Sequence, residues 1–278
     1  MRKQNLRVYI MTDMEGCAGI LNHDEWVLPS GRWYTQGREL LTREVNAAVE
    51  GFLAGGATAV MVVDGHGAGG IDPFLLHPAA ELAAGGAPQP PYPFFLDASF
   101  AGIAWVGQHA KAGTPNSHIT HTQWFDWLDM AINGVSVGEY GEMALVAQEL
   151  GVPAFFAAGE DALCREAEAL TPGVVAVGVK RGVNPDGLDR LTGDEYRRAK
   201  LAAIHLSPEE ARRRIRAGAE RAMRKLRRSR RAFHGPKLDP PYVLERRMRR
   251  GASQPPLLQR ATHPTSLIAA LNSPWRDT

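Results

Sequence analysis

The chain has 278 residues, 44% hydrophobic and 22% charged, the balance of a soluble globular protein large enough for a core of its own. No apolar run reaches the roughly 18 residues of a membrane-spanning helix, and the six-residue run after the basic N-terminus is too short for a signal peptide. Cys17 and Cys164 cannot build a disulfide framework, so the expected location is the cytoplasm.

The apolar run at 7–12 predicts a strand ending in Thr12-Asp13-Met14-Glu15-Gly16. Alternate residues of an extended chain point the same way, so Asp13 and Glu15 crowd one side. Two carboxylates that close are costly unless a cation neutralises them; otherwise the segment is a solvated turn. Residues 36–58 follow as a helix with Leu41, Val45, Ala48, Val49 and Phe52 on one face, stopped by Gly55-Gly56. A second strand at 59–63 runs into a glycine loop, and residues 85–93 form a turn-rich connector. A third strand is predicted at 103–107, a helix at 137–150 and a fourth strand within 152–161.

Strands separated by helices indicate an α/β fold: three layers, α/β/α, with a largely parallel sheet. A metal-binding catalytic domain is expected over residues 1–205. A smaller mixed region follows at 206–278, proline-rich from about 236 onward. Net charge is +2, unevenly placed, because residues 212–231 carry eleven Lys or Arg and one Glu. That run could bind nucleic acid. The apolar stripe Ile215, Ala219, Ala222, Met223 and Leu226 favours the solvated face of a helix instead, with nucleic acid an unlikely partner. Ser207, Pro208 and Glu210 predict its N-cap, first position and capping box.

The three clearest strands all end in metal-ligand residue types: Asp13 and Glu15, then Asp64 and His66, then His109. In open parallel sheets the carboxyl ends of the strands line the ligand crevice. If the strands are neighbours, the endings converge on a mixture of imidazole and carboxylate that suits Zn²⁺, with Mn²⁺ or Co²⁺ as substitutes. Asp64 either orients a ligand histidine or its loop, or is a turn residue before Gly65. The stretch Gly65-His66-Gly67-Ala68-Gly69-Gly70 has a dinucleotide-type glycine spacing, but no long helix opens on its last glycine. His23, His77, His205, His234 and His263 lack a strand-end context and are read as ordinary surface or core residues. His118 and His121 lie just beyond His109, close enough to reach the same site.

Four motifs, TDMEG, VDGHG, GQHAKAGTPNSHITHT and SVGEYGEMA, stand in order between residues 12 and 144, within a similarity that runs over about residues 7–180. Together they resemble the zinc D-aminopeptidases of the dipeptide-transport operon type, the DppA family. The resemblance implies two Zn²⁺ per chain held by Asp13, Glu15, His66, His109 and Glu139, with Asp13 bridging. It implies His121, rather than His118, as the catalytic histidine. Glu139 is supplied by the resemblance alone; by itself it reads as a helix-start carboxylate, and Glu142 one turn later could serve as well. The implied substrates are short peptides with an N-terminal D-residue, and the implied assembly is a homo-oligomer, a ring-shaped decamer. Another small amide or ester is the alternative substrate for the same metal site.

Overall fold

The computed structural model describes residues 6–251 and 257–278; the Gln254-Pro255-Pro256 stretch of the proline-rich tail lies outside the described residues. In chain order the elements are β1 (Arg7–Thr12), α1 (His23–Trp26), α2 (Tyr34–Gly55), β2 (Ala59–Asp64), β3 (Ala80–Ala83) and β4 (Gly102–Gln108). The hairpin β5 (Trp127–Ile132) and β6 (Val135–Val137) precedes α3 (Glu139–Glu149), β7 (Ala154–Glu160), α4 (Asp161–Leu170) and β8 (Val175–Gly182). Then come α5 (Gly193–Ala199), β9 (Ala203–His205), α6 (Pro208–Arg228), β10 (Tyr242–Met248), β11 (Leu258–His263), α7 (Leu267–Leu271) and β12 (Arg276–Asp277).

The main sheet has seven strands in the order β3-β2-β1-β4-β7-β8-β9, parallel except where β9 runs against β8. Alternation along β1 sends Val8 and Ile10 into one core and Tyr9 and Met11 into the other. The first core is closed by α2 and α6. The second is closed by α3 and α4 together with a five-stranded antiparallel sheet, β12-β11-β10-β5-β6. The fold is therefore α/β with a largely parallel sheet and helices on both faces, and a second sheet completes one covering layer.

Helix α6 carries the basic run, and its predicted apolar stripe is fully buried against α2 and the sheet. The two helices approach closely at Gly51, where a Cβ would stand 2.3 Å from the Arg216 carbonyl oxygen. A helix assigned by sequence to the C-terminal region thus packs into the core of the main sheet, and the second sheet draws β5 and β6 from before residue 205. The capping box at its start forms only halfway. Ser207 Oγ accepts from the Glu210 amide at 3.3 Å, but the Glu210 carboxylate turns outward to Arg213 and Arg214 rather than back to the cap.

Candidate metal centre

Strands β2, β1 and β4 are neighbours, so their carboxyl ends bring Asp13, Glu15, His66 and His109 to one edge of the sheet. The approach of β1 to β4 continues past the ladder: the Asp13 amide donates to the Val106 carbonyl at 3.1 Å and the Gly16 amide to the Gly107 carbonyl at 2.7 Å. Position 107 has φ +77°, and a Cβ there would lie 2.0 Å from the Asp13 carbonyl oxygen, so only glycine fits. Glu139, the first residue of α3, and His121, from the loop after β4, complete the group. They line a cavity of about 380 Å³ that also exposes Met11, Tyr92, Phe94, Trp124, Glu142 and Met143.

Three of these side chains share one arrangement. His66 Nε2 lies 3.1 Å from the Val27 carbonyl, His109 Nδ1 2.8 Å from the Ala110 carbonyl and His121 Nδ1 3.1 Å from the Ile119 carbonyl. A carbonyl only accepts, so each of these nitrogens donates, and the other nitrogen of each neutral ring presents a lone pair to the cavity. Those lone pairs face carboxylates: His66 Nδ1 stands 3.1 Å from Asp13 Oδ1 and 3.5 Å from Glu15 Oε2. His109 Nε2 is 3.1 Å from Asp13 Oδ2 and 3.6 Å from Glu139 Oε2, and His121 Nε2 is 4.0 Å from Glu15 Oε1. Lone pairs pointed at carboxylates repel unless protons or cations lie between them. Pinning the outer nitrogen to a backbone carbonyl is how proteins orient imidazole ligands.

The electrostatics agree. Burial alone would raise Asp13, yet the flanking His109 and His66 imidazoles hold its carboxyl well below the usual range. Burial, then the Asp13 charge, push Glu15 up to about 8. Against the opposing effect of burial, the Glu15 charge and the Asp13 contact lift His66 to about 10, and Glu139 and Asp13 lift His109 strongly as well. The protons so favoured on His66 and His109 stand where a divalent cation would. Glu15 Oε2 and His109 Nε2 are buried and find no well-aligned hydrogen-bond partner, although His66 and Asp13 stand 3.5 and 3.1 Å away, as fits donor atoms shaped for a cation. Two sets of donor atoms, from Asp13, Glu15 and His66 and from His109, His121 and Glu139, each lie within 4.8 Å of one another. The residues fit a metal centre.

Surrounding groups hold these side chains in place. The Asp64 carboxylate accepts from the amides of Gly70 and Ile71 at 2.8 and 3.0 Å, closing the loop that carries His66. Gln108, which sequence reasoning passed over, donates from Nε2 to Asp13 at 2.9 Å and to Glu139 at 3.1 Å. Buried Lys180 caps the Glu15 carbonyl from below.

His118 points elsewhere: its Nε2 donates to the Leu21 carbonyl at 3.1 Å and its ring meets His205 edge-on. Ile119, at φ +48°, turns the chain between the two histidines. His23 corrects its sequence assignment as an ordinary residue. It is buried in the cavity wall with Nε2 4.0 Å from Glu15 Oε1, edge-on to His121, Trp124 and Phe125. Nothing local marked it, because α1 is only four residues long and reaches the site by a fold-back of the chain.

Buried imidazoles and carboxylates gathered at the strand ends of an open α/β sheet are the donor set of a metal-dependent hydrolase. The family model of the M55 peptidases, D-aminopeptidase, matches residues 6–254, and the chain belongs to that family. It is accordingly a peptide-bond hydrolase, a metal-dependent aminopeptidase. A D-aminopeptidase of Bacillus subtilis (strain 168) is 34% identical over 188 residues, covering 67% of this chain and 68% of that protein. The solved structure of the Zn-dependent D-aminopeptidase DppA from Bacillus subtilis, a self-compartmentalizing protease, matches with a TM-score of 0.80 at 25% identity. That match covers 96% of this chain and 95% of the other.

Proposed function

We propose that the chain removes N-terminal D-residues from short peptides with two zinc ions, held by Asp13, Glu15 and His66 on one side and His109 and Glu139 on the other, with Asp13 shared. The observation that carries this reading is the common arrangement of the imidazoles, outer nitrogen on a carbonyl and inner nitrogen toward the Asp13, Glu15 and Glu139 carboxylates. Zinc in such a site supplies Lewis-acid polarisation of a carbonyl and brings the pKa of water down towards about 7; Mn²⁺ or Co²⁺ suit the same donors.

The protein's own groups do the rest. His121 keeps Nε2 free in the cavity wall, with Nδ1 committed to the Ile119 carbonyl. A neutral imidazole there accepts a proton from the attacking water and returns it to the leaving amine. Gln108 holds Asp13 and Glu139 at one spacing, and Asp64 holds the loop of His66. Tyr92, Phe94 and Trp124 wall the cavity with aromatic surface that leaves room for a small substrate.

The donor set defines the chemistry better than the pocket defines the substrate, so another small amide or ester is the competing substrate. The self-compartmentalizing relative supports a homo-oligomer, and we extend this to a ring-shaped decamer in the cytoplasm. Among the described residues no helix is long and apolar enough to cross a membrane. Metal analysis of the purified protein, joined to a screen of D- and L-aminoacyl peptides, tests the reading. Two zinc ions and faster turnover of D-peptides are expected; turnover of esters but not peptides overturns it.

A further inference from the structure

Glu142 is a buried carboxylate in the wall of the metal cavity with one oxygen satisfied and the other not. Its Oε2 accepts from the Tyr92 hydroxyl at 2.5 Å and from Gln123 Nε2 at 3.2 Å, while Oε1 is buried without a hydrogen-bond partner. A buried carboxylate oxygen without a partner is costly, and here Tyr92 and Gln123 lock the group so that it cannot turn to find one. Glu142 stands outside both sets of atoms that could hold a metal.

Its position is set by α3. Glu139 and Glu142 lie three residues apart on one helix face, so their Cβ atoms are roughly 5–6 Å apart. Gln123 ties them further, its amide donating to Glu139 Oε1 at 2.7 Å and its side chain to Glu142. An α-amino group is two bonds from the carbonyl carbon it precedes. A carbonyl seated among these donor atoms would thus keep its amino group inside the same cavity, whose wall includes Glu142.

We propose that Glu142, braced by Tyr92 and Gln123, is the subsite for the α-ammonium group of the substrate, and that it makes the hydrolase an aminopeptidase. This assignment rests on the peptide-hydrolase reading above. It separates anchoring the amine from holding metal, and it gives the carboxylate a positive partner.

The test compares D-alanyl-D-alanine with propionyl-D-alanine, the same shape without the amine, in wild type, Glu142→Gln and Glu142→Asp. Binding of D-alaninol, an amine with no scissile bond, is measured by calorimetry on the same zinc-loaded samples. Wild type should favour the free amine in kcat/KM by about 30-fold or more, the usual scale for losing one partner of a buried charge pair. Glu142→Gln should collapse that ratio to within about three-fold of unity and weaken D-alaninol comparably, with zinc content unchanged. Glu142→Asp keeps the charge and should keep part of the preference, which separates lost charge from lost folding. If Glu142→Gln retains both the preference and the affinity, the subsite is wrong. If D-alaninol binds through Glu142 while no D-alanyl peptide is hydrolysed, the D-peptide reading falls and the ammonium site stands.

Discussion

His66 Nδ1 lies 3.1 Å from Asp13 Oδ1 while His66 Nε2 is committed to the carbonyl of Val27. Because a carbonyl cannot donate, the inner nitrogen of neutral His66 offers a lone pair to a carboxylate, and a cation between them resolves the clash. Asp13 also faces His109 with its other oxygen, at 3.1 Å, so this one carboxylate meets an imidazole from each of the two donor sets.

Asp13→Ala should therefore lose both metals rather than one. Metal content by elemental analysis decides it, and stoichiometric metal retained by the variant sinks the shared-ligand assignment.

His121 and His118 should separate cleanly. His121→Ala removes the free Nε2 from the cavity and should lower turnover on a D-alanyl peptide by at least about 100-fold, the lower range for a proton-transfer group. Zinc should stay bound. His118→Ala, which loses a bond to the Leu21 carbonyl away from the cavity, should keep most activity. Loss of one zinc from His121→Ala would make that residue a ligand, a role its place beside His109 and Glu139 also permits.

Glu44 predicts a pH effect on stability. It is buried beneath the acidic turn, where its Oε1 accepts from the Ala18 amide at 3.0 Å, its Oε2 has no well-aligned hydrogen bond, and the Cys17 thiol and Lys180 lie nearby. Burial is the main cause that raises it to about 7. Its unfolded value is near 4.5, so between these two the native state holds a proton that the unfolded chain has released. Stability contributed by this group is present below about pH 4.5 and declines as pH rises towards 7, by on the order of 3 kcal/mol. Glu44→Gln keeps the acceptor and should flatten that part of the profile. Denaturant unfolding of both proteins at pH 5 and pH 7.5 checks it; parallel profiles would count against it.

The basic helix should be separable from catalysis. Arg227 and Arg230 donate to the carbonyls of Gly55 and Gly151, bonds that hold the helix end to the body and not to the cavity. Replacing Arg227, Arg228, Arg230 and Arg231 with Gln should cost a few degrees of melting temperature, from about two lost hydrogen bonds. Peptide hydrolysis should stay within a few-fold of wild type; a loss as large as that of a ligand variant would tie the helix to the site.

Asp13, Glu15, His66 and His109 were legible in the sequence because they sit directly at the ends of apolar strands, where local pattern and chemistry coincide. The buried stripe of α6 was legible for the same reason, since a 3.6-residue period survives whatever the helix packs against. The β5–β6 hairpin also had a local signal, Asn133-Gly134 with both residues at positive φ, although the alternation around it is weak. Glu139 came from resemblance, since a glutamate at a helix start looks alike whether or not a metal faces it.

What sequence alone could not decide depends on long-range approach. That β2, β1 and β4 are adjacent, and so deliver their endings to one place, is a property of strand order rather than of any strand. His23 enters the cavity because the segment after the acidic turn folds back over it, and Gln108 matters because its side chain spans two carboxylates from different elements. The resemblance named His121 over His118, and the two imidazoles part around Ile119, at φ +48°, with His121 in the cavity wall and His118 on the Leu21 carbonyl. Only the tertiary structure settles such questions, because a side chain's type is written locally while the groups it meets are set by the packing of segments far apart in the chain.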